Sequence, residues 1–189
     1  ELADTLTAAN IPVAYFKVTT FDDYLRMLRT CCDITGDEQA YAENGQGPAD
    51  RIAEICAKAE GKQAGSAVVL TTYSGGTRVQ SSSTQTGTML ADLGAQNIAD
   101  SDKGLLSDYS IEALIQDNPQ TIFLLPMGNS DESAQQALAE QTTQNPAWAQ
   151  LDAVKNDRVV MLDPQLFQYK PNAQWDQAYQ VLFDALYGE

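Results

Sequence analysis

Histidine is absent from the sequence of 189 residues, and cysteine is scarce. Without histidine the chain can form neither a Ser-His-Asp nor a Cys-His nucleophilic site, and it cannot ligate zinc, haem or non-haem iron through imidazole. The three cysteines are Cys31, Cys32 and Cys56. Adjacent residues on a helix point about 100° apart, so Cys31 and Cys32 are not expected to bridge each other. Because the chain has no C-x-x-C motif, we expect these cysteines to fill helix faces as small apolar residues.

Basic residues are few as well. Eleven of them stand against 26 acidic residues, which gives a formal net charge of −15. The imbalance is spread along the chain, because residues 1–63 hold 6 basic and 11 acidic side chains and residues 64–189 hold 5 and 15. Phosphate binding needs a basic face, so this charge argues against nucleic acid as a partner and against adsorption to anionic lipid. We expect the acidic groups to form a solvated surface.

Long apolar runs are missing too. No stretch approaches the 18 apolar residues that a membrane-spanning helix needs, so none is expected. The first ten residues, ELADTLTAAN, contain neither a basic n-region nor an apolar h-region, which predicts no signal peptide in this stretch. Apolar residues still make up 43% of the chain, a composition typical of a globular protein.

The residues that are present alternate between strand-like and helix-like segments. Short runs rich in β-branched residues predict strands at 11–18, 67–72, 121–125 and 158–162. Apolar stripes of helical spacing and capping residues predict helices from an N-cap at Thr20 to Gly36, and at 37–44, 48–60, 88–93, 111–117 after Ser110, 131–144 and 175–187 before Gly188. A short helix is expected up to Val154, and a loop rich in Ser, Thr and Gly at 73–87. The alternation predicts a doubly wound α/β fold with a mostly parallel sheet.

Ligands of such sheets bind beyond the carboxyl ends of the strands. The loops that follow the three later strands offer aromatic faces, two cations and an amide, a set that suits a bulky polar or anionic small molecule better than a bond-breaking reaction. The candidate ligand-binding residues are Tyr73, Arg78, Met127, Asn129, Phe167, Tyr169 and Lys170.

Each candidate also has a structural interpretation. Arg78 could be a solvated loop cation, Lys170 an exposed turn residue, and Phe167 and Tyr169 could cap the core. The sequence YSGG at 73–76 lacks the spacing of a nucleotide-binding loop. The two tryptophans, Trp148 and Trp175, are expected to be packing residues. Adjacent carboxylates such as those at 22–23 are expected at helix N-termini, where the dipole favours negative charge, and not as an acid/base pair.

Four stretches in order resemble the iron-complex substrate-binding proteins of ABC importers, a family that handles ferric siderophores, haem and cobalamin. They are IPVAYFKVTTFDDYLRMLRTCCDITG, YAENGQGPADRIAEI, SIEALIQDNPQTIFLL and the final NPAWAQLDAVKNDRVVMLDPQLFQYKPNAQWDQAYQVLFDALYGE. The resemblance covers nearly the whole chain. It implies two α/β lobes joined by a long helix, with the ligand in the cleft between them.

Mapped onto this chain, the resemblance implies a remnant of the N-terminal lobe at 1–35, the connecting helix at 36–63 and the C-terminal α/β lobe at 64–189. It also implies that each lobe docks on the permease through a surface glutamate, which in SIEALI is Glu112. The same position is explained equally well by a first-turn residue that favours the helix dipole.

The implied function is that of the extracytoplasmic solute-binding component of an ABC importer, either periplasmic or anchored as a lipoprotein, and not that of an enzyme. A ferric siderophore is the expected ligand, because Arg78 and Lys170 can meet anionic groups of a chelate that already holds its iron. No further cofactor or protein-bound metal is expected. The alternatives are a haem or cobalamin receptor, or a small chelatase- or transferase-like α/β enzyme. A strand at 11–18 left without a neighbour could also pair with a second copy and give a dimer.

Overall fold

The computed structural model describes residues 2–73, 76–101, 110–127, 142 and 144–188. Their sheet consists of β1 (Ser66–Tyr73), β2 (Gly76–Gln80), β3 (Gln96–Asn97), β4 (Thr121–Pro126) and β5 (Val159–Met161). The strand order is β2-β1-β4-β5, and β3 pairs with the start of β1. β3, β4 and β5 run parallel to their neighbours, while β2 is antiparallel to β1. The mostly parallel α/β sheet and the strands expected at 67–72, 121–125 and 158–162 are therefore confirmed.

β2 lies inside the region expected to be a loop. Its register pairs Leu70 with Val79 and Thr71 with Arg78, and Tyr73 with Gly76 closes the hairpin. Gly76 has a φ of 137°, a backbone conformation that favours glycine. The short sequence GTRVQ carries one buried apolar side chain, Val79, so its strand character comes from pairing with β1 and not from its own pattern.

Nine α-helices surround the sheet in the described residues. Their bounds are α1 Leu2–Ala8, α2 Phe21–Thr35, α3 Glu38–Tyr41, α4 Gly47–Ala59, α5 Gln85–Asp92, α6 Ile111–Asp117, α7 Asp152–Lys155, α8 Pro164–Phe167 and α9 Trp175–Tyr187. Short 3₁₀ turns cover Ile98–Asp100, Trp148–Gln150 and Asn172–Gln174. Within these ranges no helix is both long enough and apolar enough to cross a bilayer.

The helix ends follow the capping residues. Thr20 accepts a hydrogen bond from the backbone of Asp23, whose carboxylate in turn accepts from the backbone of Thr20, and this capping box starts α2. Gly36 and Gly188 end α2 and α9 in the left-handed conformation, and Ser110 caps α6, so the expected ends of these helices are confirmed. α5 begins at Gln85, three residues before the expected start. The helix expected at 131–144 lies outside the described residues, apart from Thr142 and Gln144 at its end.

The strand expected at residues 11–18 is wrong. The segment follows α1 as irregular chain, and no strand of the described residues pairs with it. Its large side chains are exposed, with Ile11 at 51%, Val13 at 42%, Tyr15 at 65% and Phe16 at 44%. β propensity alone does not make a strand, because the backbone groups need a neighbour with which to form hydrogen bonds.

The break expected between two helices at 44–48 is also wrong. α3, a π-helical segment (Ala42–Gln46) and α4 form one continuous helical run. The N–H of Gly47 donates to the carbonyl of Ala42, which widens the turn just before Pro48. Pro48 has no N–H for the carbonyl of Asn44, and that carbonyl accepts from the hydroxyl of Tyr24 at 2.9 Å instead. The helix thus passes a proline without leaving this carbonyl unpaired. The run lies inside the range 36–63 of the implied connecting helix; the division into lobes stays a prediction.

Two apolar cores flank the sheet. On one face, Ala67 and Val69 of β1 pack with α2, α4, α5, α8 and α9, and the fully buried Trp175 contacts Phe21 with their ring centroids 5.8 Å apart. On the other face, Val68 and Leu70 pack with α6, α7 and Trp148. Both tryptophans are packing residues, as expected. β1 is buried on both faces, so its carboxyl end at Tyr73 is anchored in the core of the domain.

Candidate ligand-binding edge

The carboxyl ends of β1 and β4, the β2 hairpin and the segment after β5 form one edge of the sheet, which we call the carboxyl edge. Tyr73 ends β1, and Met127 follows β4 with its side chain 42% exposed. The N–H of Met127 donates to the carbonyl of Thr72 at 2.7 Å, which ties the two strand ends together. Tyr73 and Met127 therefore lie at neighbouring strand ends, as the sequence predicts.

Arg78 joins this edge through the hairpin. Its guanidinium carbon lies 5.1 Å from the centroid of the Tyr73 ring, within the range of a cation–π contact. Arg78 is exposed and stands opposite Thr71 in the β1–β2 register, on the sheet face that Tyr73 shares. The contact presents a cation and an aromatic face side by side.

Lys170 belongs to the segment after α8. Its ammonium donates to Oε1 of Gln85 at 3.1 Å. Partial burial lowers the pKa of Lys170 from its ordinary value, while the charge of Asp23 at the start of α2 opposes that shift. Tyr169, next to it, is 41% exposed. Both side chains reach the surface, and Lys170 does so near the start of α2.

Phe167 is the candidate that the structure contradicts. Its side chain is only 4% exposed and belongs to the core cluster with Leu162 and Trp175. The reason is α8, a short helix begun by Asp163 and Pro164 that turns the aromatic ring inward. Of the two interpretations given above, core capping is correct. Asn129 lies outside the described residues.

A hydrogen-bonded polar network behind this edge was not found from the sequence. Gln80 donates to the hydroxyl of Thr71 at 2.5 Å, and Oε1 of Gln80 lies 3.0 Å from the hydroxyl of Thr84, the N-cap of α5. The next residue, Gln85, contacts Lys170. The only signal in the sequence is the density of Ser, Thr and Gln at 80–88, which also suits an ordinary loop.

The cations at the carboxyl edge differ from the other described cations after residue 64. Lys155 forms an ion pair with Asp152 at 3.1 Å, and Arg158 donates to the hydroxyl of Thr121 and to backbone carbonyls near the end of α9. Within the part of the chain that the structure describes, Arg78 contacts an aromatic ring and Lys170 an amide, both of which are neutral. Their charges therefore remain available to a ligand.

Glu112, the implied docking residue, is exposed in the first turn of α6. Its carboxylate accepts from the hydroxyl of Ser110 at 2.8 Å, and this hydrogen bond lowers its pKa. The geometry serves the helix N-terminus and also leaves the carboxylate on the surface.

The cysteines are free. Cys32 is buried and Cys56 half-buried, as expected of residues that fill helix faces, but Cys31 is exposed, which corrects that expectation for one of them. Within the described ranges, no three His, Cys, Asp or Glu side chains come together as a metal site would require.

Comparisons with known proteins agree on one architecture. An ABC transporter substrate-binding protein from Listeria monocytogenes has 19% identity and a TM-score of 0.76, over 100% of this chain and 72% of its own. IsdE of S. aureus, solved in complex with heme, has 19% identity and a TM-score of 0.77, over 98% of this chain and 72% of its own. BtuF, the periplasmic vitamin B12 binding protein of Vibrio cholerae, has 15% identity and a TM-score of 0.76, over 98% and 68%. At these identities the likeness shows the fold.

The family is shown by the sequence itself. No curated protein matches the chain as a relative. The sequence pattern of a family described as periplasmic binding protein, however, matches residues 1–166. Because that match spans most of the 189 residues, the chain belongs to the periplasmic binding protein family.

Proposed function

We propose that this protein is the solute-binding component of an ABC importer that captures a ferric siderophore. Family membership implies an extracytoplasmic protein that binds a small molecule and works with an ABC permease. The observation that supports this ligand is the pair of cations at the carboxyl edge, Arg78 and Lys170, whose direct partners among the described residues are neutral. A protein of net charge −15 repels anions in general. Two cations without a direct acidic partner among the described residues would therefore attract an anionic ligand to this edge in particular.

The neighbouring structures support a metal-complex ligand but differ in which one they bind. One was solved in complex with heme, and another is a vitamin B12 binding protein. Without histidine, this chain cannot supply an imidazole to haem. A chelate that already saturates its iron needs no protein ligand to the metal, and only its anionic rim has to be recognised.

The permease is the proposed protein partner. Glu112 is proposed to dock on it, because its carboxylate is exposed, ionised and held in one place by Ser110. Residues 1–35, 36–63 and 64–189 are proposed as the remnant of one lobe, the connecting helix and the second lobe. The dimer through the segment 11–18 and the lipoprotein anchor remain predictions.

The test is a titration with a panel of complexes: an anionic ferric tris-catecholate, a neutral ferric hydroxamate, haem and cobalamin, followed by native mass spectrometry and calorimetry. We expect the anionic ferric chelate to bind most tightly. We expect Arg78→Ala to weaken it at least about tenfold, or about 1.4 kcal/mol, because a charge-assisted contact is lost.

Lys155→Ala is the matched control, since it removes the same charge from the helix that precedes β5 and should leave the affinity unchanged. If haem or cobalamin bound most tightly, that molecule and not a ferric siderophore would be the ligand. An unchanged affinity of Arg78→Ala would remove Arg78 from the site. Turnover of a substrate in an activity screen would favour the enzyme alternative.

A further inference from the structure

The first turn of α5 is held firmly against the hairpin. Thr84 caps it by accepting from the N–H of Gly87 at 3.2 Å, and the hydroxyl of Thr84 lies 2.8 Å from the carbonyl of Ser81. A Cβ on Gly87 would lie only 2.1 Å from that carbonyl oxygen, so glycine alone allows the helix to start this close to the loop. The backbone of Gln85, between the cap and this glycine, is therefore fixed in position.

The side chain of Gln85 is fixed as well. It is 8% exposed, and both ends of its amide are used: Nε2 donates to the carbonyl of Leu166 at 3.2 Å, and Oε1 accepts from the ammonium of Lys170 at 3.1 Å. An ammonium can only donate and a carbonyl can only accept, so this orientation of the amide is the one that satisfies both partners. Gln85 thus links α5 to Leu166 of α8 and to Lys170.

The contact with Gln85 holds the ammonium of Lys170 in one position. A lysine has a long flexible stem, and an exposed one samples many rotamers. Here the ammonium is held at one point while the rest of the residue stays exposed. A ligand that binds an ammonium already held in place loses less conformational freedom on binding.

The partner of Lys170 also preserves its charge. The carboxylate that acts on it electrostatically is that of Asp23, which is already engaged: it accepts from the backbone N–H groups of Thr19 and Thr20 at 3.0 Å and pairs with Arg26. The direct contact of Lys170 with the described residues is a neutral amide. A glutamate at position 85 would keep the shape of the contact and cancel the charge.

We infer that Gln85 is a positioning residue that holds Lys170 as an uncompensated cation, and that this pair makes the carboxyl edge prefer anionic chelates over neutral ones. The inference rests on the proposed function and adds a determinant of selectivity to it. Gln85 itself is buried and acts through Lys170.

The first experiment compares an anionic ferric tris-catecholate with a neutral ferric hydroxamate, each titrated into the wild type, Gln85→Glu and Gln85→Met. We expect Gln85→Glu to weaken the anionic chelate about tenfold, the size of one charge-assisted contact, and to change the neutral one less than about twofold. Gln85→Met should weaken the anionic chelate by a smaller factor, because the lysine is released but keeps its charge. Gln165→Glu adds the same charge at an exposed position of α8 and should leave both affinities unchanged.

The second experiment tests the contact between Gln85 and Lys170 in the absence of ligand. The pH dependence of acylation of Lys170, followed by peptide mass spectrometry, reports the pKa of its amine. Gln85→Glu should move the midpoint of this profile upward, because a carboxylate favours the ammonium form. A double-mutant cycle with Lys170→Met should abolish the effect of Gln85→Glu on the anionic chelate.

Three results would overturn the inference. Gln85→Glu could weaken both chelates equally, it could still weaken the anionic chelate when Lys170→Met is also present, or it could leave the acylation profile of Lys170 unchanged. Each would reduce Gln85 to a packing residue while the proposed function still stood. Failure of the wild type to bind either ferric chelate would instead overturn the proposed function, and the selectivity claim with it.

Discussion

Two stretches of this chain have nearly the same strand-like composition and end in opposite environments. The segment IPVAYFKV at 11–18 is irregular and exposes Ile11, Val13, Tyr15 and Phe16. The strand SAVVLTTY of β1 is hydrogen-bonded on both sides and buries Ala67 and Val68 completely. The difference lies in the neighbours: β1 has β2 and β3 on one side and β4 on the other, whereas 11–18 is paired with no strand of the described residues. Propensity selects the segments that can become strands, and pairing decides which of them do.

The largest contrast should come from a charge placed in each stretch. Val69 is fully buried between helices, so Val69→Asp puts an unpaired carboxylate in the core and should cost about 4 kcal/mol or more, enough to unfold a marginally stable domain. Val13 is 42% exposed, so Val13→Asp should change the free energy of unfolding by less than about 0.5 kcal/mol. Urea denaturation followed by circular dichroism measures both.

An equal loss of unfolding free energy in Val69→Asp and Val13→Asp would contradict the comparison. It would mean that residues 11–18 are covered by a partner, and a second copy would then be the first to test. Analytical ultracentrifugation of the wild type and of Val13→Asp would show whether the mutation dissociates a dimer.

The same comparison shows what the sequence could and could not predict. The caps were predictable, because Thr20, Ser110, Gly36 and Gly188 act through their own local chemistry. β1, β4 and β5 were predictable because their apolar runs are short, bounded and rich in β-branched residues. The failures at 11–18 and at β2 have one cause, since in both the state of the segment depends on a pairing that is remote from its own sequence.

At the carboxyl edge the same division holds. Arg78 and Lys170 could be selected as candidates because a rule of topology singles out the loops that carry them, and their role as ligand-binding residues stays a prediction. Phe167 was misplaced because a four-residue helix, Pro164–Phe167, turns it toward the core. Gln85 was not predicted because its contact with Lys170 joins residues that lie 85 positions apart in sequence. Pairs of this kind are set by the fold and leave no local motif.

A smaller contrast separates two tyrosines. The hydroxyl of Tyr24 donates to the carbonyl that Pro48 leaves without an N–H partner, whereas Tyr15 is 65% exposed. Tyr24→Phe should therefore lower the free energy of unfolding by about 1 kcal/mol, because a part-buried carbonyl loses the hydroxyl that donates to it. Tyr15→Phe should leave it unchanged. Thermal unfolding measures the pair, and equal midpoints for the two variants would show that water replaces the lost hydroxyl at Asn44.

The smallest effect is expected at the boundary between the exposed segment and α2. The carboxylate of Asp23 accepts from the N–H groups of Thr19 and Thr20, and these hydrogen bonds lower its pKa from 3.8 to about 2. A carboxyl group whose pKa is lower in the folded state stabilises the fold above its unfolded value, and this contribution disappears as the pH falls from about 4 toward 2. Asp23→Asn should destabilise the protein at neutral pH and flatten the acid limb of the stability curve in that window. Asp22→Asn makes the same charge change at the next, exposed residue and should leave the acid limb as it is. If both variants flattened the curve equally, the helix dipole and not the two hydrogen bonds would account for the acid dependence of the α2 N-terminus.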